Sequence, residues 1–231
     1  AILNTNENST PEDQLKNTKR VGNQMLNLVM NLLDIQKYEH TQMKLNLTDF
    51  YLFDIVEEAV KQVVYAANLK NVAIINRVAR RVTVKADYEI IVRVFVNLLS
   101  NAIKYSPNNR EININAKEQD GGFTEIEVTD QGPGIPEDKR KLVFIKFGQV
   151  IAKKAAGIKS TGIGLTFCKM AIEAHGGKID FRTQLNKGTT FWFILPKGKN
   201  ISDSASHVSQ TEKHDMTEIL TEENKKYLRQ Y

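Results

Sequence analysis

Between Tyr88 and Tyr105 the chain writes an apolar stripe at helical spacing and sets polar side chains along its edge. Ile91, Val94, Phe95, Leu98 and Ala102 recur at intervals of three and four, so a helix over this stretch buries one face. Asp87 stands where it can cap that helix, and Pro107 stops it. Asn97, Asn101 and Lys104 fall side by side along the margin of the stripe. A polar group left buried and unpaired costs about 1–3 kcal/mol, so a fold built on this helix must offer those amides a partner. Taken alone, two Asn at this spacing are more often caps or surface groups. The downstream sequence decides between the two readings.

Two glycine segments follow. Asp130-Gln131-Gly132-Pro133-Gly134 comes directly after the apolar strand pattern Ile126 to Val128. A carboxylate at a strand's end can accept from the exocyclic amine of adenine, and glycines beside it let backbone face the base; in isolation the same pattern reads as a plain turn. Thr161-Gly162-Ile163-Gly164-Leu165 opens an apolar helix. Free N–H groups and the dipole make such a helix start an anion site, although a lone Gly-x-Gly is weak evidence. Asn oxygens are hard neutral ligands suited to a Mg²⁺ that keeps waters and phosphates, and the Lys104 ammonium can neutralise phosphate charge. In this order the segments describe a site for a nucleotide and its metal with no Walker-type loop. Lys139, Arg140, Lys141, Lys146, Lys153, Lys154 and Lys159 lie between the glycine segments, either facing phosphates or as a solvated loop. Phe144 and Phe147 either anchor a flexible lid or form satellite core, and Tyr105 either packs on the ligand or caps its helix.

The rest of the pattern predicts an α+β fold, a mixed sheet covered on one face by helices and preceded by a long helix. Thr10-Pro11-Glu12-Asp13 starts that first helix, and spacings of three and four continue from Leu15 to about Tyr38. Such a stripe suits bundle packing with another chain, or packing on this chain's own globular part. Leu45 and Leu47 alternate as a short strand; Asp49 to Asn68 reads as a helix; Val72 to Val78 and Val82 to Ala86 read as strands. Glu111 to Lys117 and Thr124 to Thr129 form an antiparallel pair around Gly121-Gly122, and Lys178 to Arg182 with Thr189 to Leu195 a closing hairpin. A helix over Gly162 to Ala174 stops at Gly176-Gly177. Residues 198 to 231 read as a linker and the start of a following segment. A net charge of +5 without clustering argues against a nucleic-acid face. The single Cys168 excludes an internal disulfide and suits a reducing compartment; within its apolar helix it reads as core. No apolar run approaches a membrane span. Of His40, His175, His207 and His214, His40 stands at a helix exit and His175 before the helix stop, where a cation suits the dipole; neither has a carboxylate in helical register to activate it. All four are read as structural or solvated.

Over residues 44 to 197 these segments resemble the ATP-binding catalytic domain of sensor histidine kinases. Asn97 to Ser106 matches the N box, Asp130 to Gly134 the first glycine box, Phe144 to Gln149 the F box and Thr161 to Leu165 the second glycine box. His175-Gly176-Gly177 and Gly188-Thr189-Thr190-Phe191 are similar to the closing segment. The resemblance implies the two-layer sandwich of histidine kinase and gyrase-type ATPases. It implies ATP and Mg²⁺ as cofactors, with Asn97 on the metal, Asn101 and Lys104 on phosphates, and Asp130 on adenine. The ATP-binding set would be completed by Tyr105, Gly132, Gly134, Ile135, Phe147, Thr161, Gly162, Gly164, Leu165 and Thr190, with 135–160 as the lid. Gln149 stands where the family often has Arg, and Lys159 and Ser160 where glycines are common.

Residues 11 to 40 look like the second helix of the family's dimerisation domain, down to Asn31-Leu32-Leu33-Asp34. This divides the chain into a partial dimerisation domain at 1–43, the catalytic domain at 44–197 and a following segment at 198–231. The family's phosphoacceptor histidine belongs to the first dimerisation helix, so the expectation is ATP binding without self-phosphorylation. The implied partners are a second copy through the N-terminal helix and a response regulator receiver domain, with no nucleic acid and no membrane contact by this fragment. The implied location is cytoplasmic, whether or not the parent is anchored in the inner membrane. Other ATPases of the superfamily stay open as an alternative, although Arg93 stands where a gyrase-type glutamate would fall. So does a degenerate nucleotide-binding signalling module.

Overall fold

A computed structural model describes residues 44–146 and 162–199, with Thr10, Gln14, Thr18, Gly22, Met25 and Val29. All lie in the first of two compact units, Ala1–Asn200. Of the expected N-terminal helix, Gln14, Thr18, Gly22, Met25 and Val29 are helical and exposed. The rest of that expectation, with His40, Phe147, Gln149, Thr161, His207, His214 and the segment from 200 on, lies outside the described residues.

The elements run β1 (Thr48–Tyr51), α1 (Leu52–Asn68), β2 (Ala73–Asn76), β3 (Thr83–Ala86), α2 (Tyr88–Tyr105), β4 (Glu111–Gln119), β5 (Phe123–Asp130), α3 (Glu137–Arg140), α4 (Gly164–Ala174), β6 (Lys178–Gln184) and β7 (Gly188–Pro196). The main sheet is five-stranded in the order β2-β4-β5-β7-β6. Only β2 and β4 are parallel, so the sheet is mixed. β1 and β3 form a separate antiparallel pair.

Alternation sorts the sheet into two faces. Ile112 and Ile114 of β4, Ile126 and Val128 of β5, Phe191, Phe193 and Leu195 of β7 and Ile179 of β6 are buried against the helices. Phe95 of α2 meets Phe193 edge-on, ring centroids 5.5 Å apart. α4 adds Phe167, Cys168, Ala171 and Ile172, and α1 adds Leu52, Ile55, Val56, Ala59 and Val63. Burying one such large side chain contributes about 1.5–3 kcal/mol, so α2, buried on eight residues, is the spine of the layer. The opposite face is polar: Arg182 reaches Glu125 at 3.0 Å and Glu127 at 2.6 Å. These exposed pairs add little to stability.

The N-terminal boundary differs from the sequence reading. The helix expected from Asp49 begins at Leu52, and the short strand expected at Leu45 and Leu47 falls instead on Thr48–Tyr51. The reason is where backbone donors go: Asp49 lies opposite Lys85 in the β1–β3 ladder, and even Leu52 N–H still donates to Val82 O at 2.9 Å. Strand pairing overrides the helical reading of the first three residues.

The caps of α2 and α4 are joined. Asp87 Oδ1 accepts from Ile90 N–H at 3.2 Å, as a cap should, while Oδ2 accepts from Asn46 N–H at 3.0 Å. Asp87 N–H donates to His175 Nε2 at 3.0 Å, and His175 Nδ1 lies 2.7 Å from Ala171 O. These partners fix the neutral tautomer with its proton on Nδ1. His175 is thus structural, and it is not the cation that would suit a helix end: burial lowers its pKa, outweighing the backbone bond to Ala171 and the charge of Asp87.

Two stability predictions follow from this packing. Below the ordinary pKa of 6.5 the unfolded chain takes up a proton that the folded His175 refuses. Stability should therefore hold above that pH and fall as pH drops below it, with His175→Gln flattening the slope in urea unfolding at pH 7.5 and 5.5. Gly188 has φ +117°, and a Cβ there would collide with Asp130 O. Gly188→Ala should cost at least about 2 kcal/mol through strain and overpacking, read as a lower urea midpoint at unchanged slope.

Candidate functional site

Asn97 sits half-buried in the middle of α2. Its Nδ2 donates to Arg93 O one turn back at 2.9 Å, which turns Oδ1 away from its own ladder. That oxygen faces the first residue of α4: a Cβ on Gly164 would come 2.6 Å from it. Only a residue without a side chain lets a helix start approach an amide this closely. Ile163, the N-cap of α4, contributes no side-chain cap bond, so the backbone N–H groups of that first turn are suited to an anion. Asn101 and Lys104 follow Asn97 along α2, and the Lys104 ammonium stands 5.4 Å from the centroid of the Tyr105 ring.

Asp130 closes the other side. It ends β5 in the inward register of Thr124, Ile126 and Val128, which makes it a buried carboxylate, 7% exposed. Its Oδ1 accepts from Gly132 N–H at 2.8 Å and from Thr189 N–H at 3.2 Å. Both bonds fall on Oδ1, leaving Oδ2 as the acceptor for an incoming donor. Burial pushes the Asp130 pKa up, and the two N–H groups pull it back down. Gly132 also spans to the end of α2: a Cβ there would meet Asp130 Oδ1 at 2.9 Å and Tyr105 O at 3.1 Å. Along α2 the structure thus makes two contacts, Asn97 with Gly164 of α4, and Tyr105 O with Gly132 beside Asp130.

The loop after Asp130 is tied to the β6–β7 turn. Ile135 N–H donates to Thr183 Oγ1 at 2.9 Å, and Asn186 N–H to Pro133 O at 2.8 Å. A Cβ on Gly134 would meet the Gln184 backbone. Thr183 Oγ1 also donates to Gly188 O at 3.1 Å and lies 3.0 Å from Thr189 Oγ1. Leu165 is buried in the core, and Gly162 precedes α4.

Thr190 is not in this group. Its Oγ1 lies 3.0 Å from Thr129 Oγ1, and both residues belong to the alternate register from the buried Val128, Asp130 and Phe191. Its neighbour Thr189 is the residue that reaches Asp130. Gly188 and Thr189 belong to the closing segment noted in the sequence, but their contact with Asp130, and that of Thr183 with both, are seen only in the fold; the alternation of Phe191, Phe193 and Leu195 assigns Thr189 to the inward face. The Phe144 ring packs 6.0 Å from Phe181 and 6.3 Å from Phe191, and its carbonyl accepts from Thr166 Oγ1 at 3.2 Å. In the basic stretch, Arg140 pairs with Glu137 at 2.5 Å. The Arg93 guanidinium lies 4.4 Å from the Phe167 ring centroid.

The donor set fits a nucleotide and a hard cation. Among the described residues no group of three or more His, Cys, Asp or Glu could hold a metal. An amide oxygen beside a helix start suits an ion that takes its remaining ligands from phosphates and water. Among the described residues no helix is long and apolar enough to cross a membrane.

Residues 86–199 match the family described as Histidine kinase-, DNA gyrase B-, and HSP90-like ATPase. The adaptive-response sensory kinase SasA of Gloeothece citriformis is 32% identical over 186 residues, covering 80% of this chain and 47% of that relative. Full-length ShkA in complex with AMPPNP shares the fold at TM-score 0.68 and 24% identity, over 84% of this chain and 40% of that one. Histidine kinase ThkA in complex with the response regulator TrrA gives a TM-score of 0.60 at 25% identity, over 83% of this chain and 54% of that one. This chain spans about half the length of these relatives. On the match over 86–199 and on these relatives, the chain carries an ATPase domain of the histidine kinase, DNA gyrase B and HSP90-like family, in the form found in the catalytic domains of sensor histidine kinases.

Proposed function

We propose that this chain is the catalytic region of a two-component sensor histidine kinase. It binds ATP with Mg²⁺ and passes the γ-phosphoryl group to a histidine on a dimerisation helix outside this sequence, for relay to a response regulator. The observation that carries the reading is the buried Asp130 carboxylate, held through one oxygen by two backbone N–H groups. A carboxylate kept from water in this way is an acceptor for a neutral amine such as the 6-amino group of adenine, and an ill match for phosphate.

In this reading Asp130 recognises the base, and Gly132 and Gly134 give backbone room beside it. Asn97 Oδ1 holds Mg²⁺, Asn101 and Lys104 meet phosphates, and the start of α4 at Gly162, Gly164 and Leu165 takes the anionic end. Thr189 takes the supporting role that the resemblance implied for Thr190. Phosphoryl transfer asks the protein for in-line positioning and neutralisation of charge rather than covalent chemistry. The bound Mg²⁺ would supply charge neutralisation on the phosphates. The AMPPNP held by ShkA supports an ATP-like ligand, and the TrrA complex of ThkA supports a receiver domain as partner. The same reading divides the chain at 43 and 197, pairs two copies through the N-terminal helix, and locates the domain in the cytoplasm without nucleic acid or membrane contact by this fragment. A water-activating ATPase of the gyrase type is less well supported: one turn before Asn97 stands Arg93, whose guanidinium lies on Phe167.

Titration calorimetry tests the site. The chain should bind ATP, and Asp130→Asn should weaken binding about 10- to 100-fold, the worth of a hydrogen bond to a charged group. Absence of heat from any adenine nucleotide overturns the reading. Asn97→Ala should weaken ATP in Mg²⁺ while leaving affinity in EDTA within about twofold; an equal loss in both conditions removes Asn97 from the metal. Acid-labile label appearing on this chain alone after incubation with radiolabelled ATP would overturn the external acceptor.

A further inference from the structure

Lys70 belongs to none of the sequence motifs, yet its ammonium ends on the last turn of the helix that carries the site. It stands in the turn between α1 and β2. Its Nζ lies 2.8 Å from Ile103 O, 3.1 Å from Lys104 O and 2.5 Å from Ser106 O. An ammonium has three N–H donors, and here each has a carbonyl. Lys70 O accepts from Asn109 N–H at 3.1 Å, so the turn holds the segment after α2 from both sides.

The last carbonyls of a helix have no partner within it and together carry about half a negative charge. In α2 the Ala102 carbonyl takes Ser106 N–H. Ile103 O and Lys104 O depend on something outside the helix, because Pro107 forbids a glycine-type wrap. That negative end borders the site, since Tyr105 O is the atom against which Gly132 rests. A polyphosphate brings further negative charge toward it. Lys104, the basic residue of the last turn, is the cation a bare helix end would draw back onto itself.

We propose that Lys70 is a positioning residue for nucleotide binding. It neutralises the carboxyl end of α2 and takes the carbonyls that would otherwise compete with phosphate for Lys104. This rests on the reading of the site as one for a nucleotide. Lys70 meets only backbone carbonyls at the end of α2, that of Lys104 among them, and acts through that helix.

The role differs from plain capping in one measurable way. A structural cap, once lost, weakens every ligand of the pocket alike; a lost charge weakens ligands according to theirs. Affinities of the full chain for adenosine, AMP, ADP and ATP should be compared by calorimetry at low salt and fixed Mg²⁺. In Lys70→Met the adenosine affinity should stay within about twofold, and the loss should grow with phosphate number to about 3- to 30-fold for ATP. Lys70→Arg should restore the unaltered series, and Lys70→Gln, which keeps two donors without charge, should behave as Lys70→Met. An equal loss for all four ligands, or no loss for ATP, overturns the proposal while leaving the nucleotide site intact. Should Lys70→Met fail to fold by circular dichroism, Lys70→Gln decides, and its failure to fold marks Lys70 as a structural cap only. No binding of any of the four by the unaltered chain overturns the nucleotide reading and this inference with it.

Discussion

A carboxylate held out of water at the end of β5 is the constraint around which the site is arranged. Asp130 sits where alternation would otherwise put an apolar residue, next after Val128 on the inward face. Burying charge there is unfavourable, and the compensation is local: Gly132 N–H from the following turn and Thr189 N–H from β7. The second donor follows Gly188 in the chain, and the Gly188 backbone lies against Asp130 O. The close approach of β7, the turn after β5 and the carboxylate therefore form one unit, and it exists only once the β5–β7 ladder has closed. An acidic group placed this way binds through what the fold supplies rather than through its own exposure.

The second axis is α2, which serves the core and the site at once. One face packs Phe95 on Phe193; the margin of that face carries Asn97, Asn101 and Lys104. A helix used in this way has to be fixed in rotation and along its axis, since a small shift moves every polar group on its edge. Both ends are held by residues distant in sequence. His175 and Asn46 meet Asp87 at the start, and Lys70 meets the carbonyls at the finish. Gly164 then sets the separation from α4 by contact with Asn97 Oδ1.

The sequence was legible where a local pattern and the tertiary fold agree. The stripe of α2, its Asp87 cap, the β4–β5 pair and the β6–β7 hairpin follow from periodicity and turn residues, and Gly162 and Gly164 lead into α4 as read from the sequence. The order of strands in the sheet is a product of long-range pairing that no window of sequence contains. Competing local signals account for the misplaced pieces. Asp49 looked like the first turn of a helix, but its backbone is taken up in pairing with β3. His175 was read as structural or solvated, and its role as acceptor for Asp87 N–H is visible only in the fold. Thr190 and Thr189 are adjacent and chemically identical, and only the alternation of β7 tells which one faces Asp130. Lys70 carried no signal at all, because a side chain that caps another helix across the fold leaves no mark on its own neighbourhood in sequence.

The chemistry available to this domain is limited in a way that fits phosphoryl transfer to a group brought from elsewhere. Among the described residues, the polar side chains assigned to the pocket are amides, one ammonium and one carboxylate, and none is an activated nucleophile. Cys168 is fully buried, burial pushes its thiol pKa far up, and its Sγ lies 3.7 Å from Val94 O. His175, the one histidine among the described residues, has both ring nitrogens in hydrogen bonds to backbone and no exposed edge from which to attack phosphorus. On the proposed reading, a site that grips a nucleotide at its base and at its anionic end but lacks an acceptor controls turnover through access alone. It can hold its ligand without spending it, and reaction waits on the geometry of the incoming imidazole. The Asn46–Asp87 bond is then of interest as mechanics, because it joins the stretch before β1 to the cap of α2, and any force arriving along that stretch is delivered to the helix that positions the ligand.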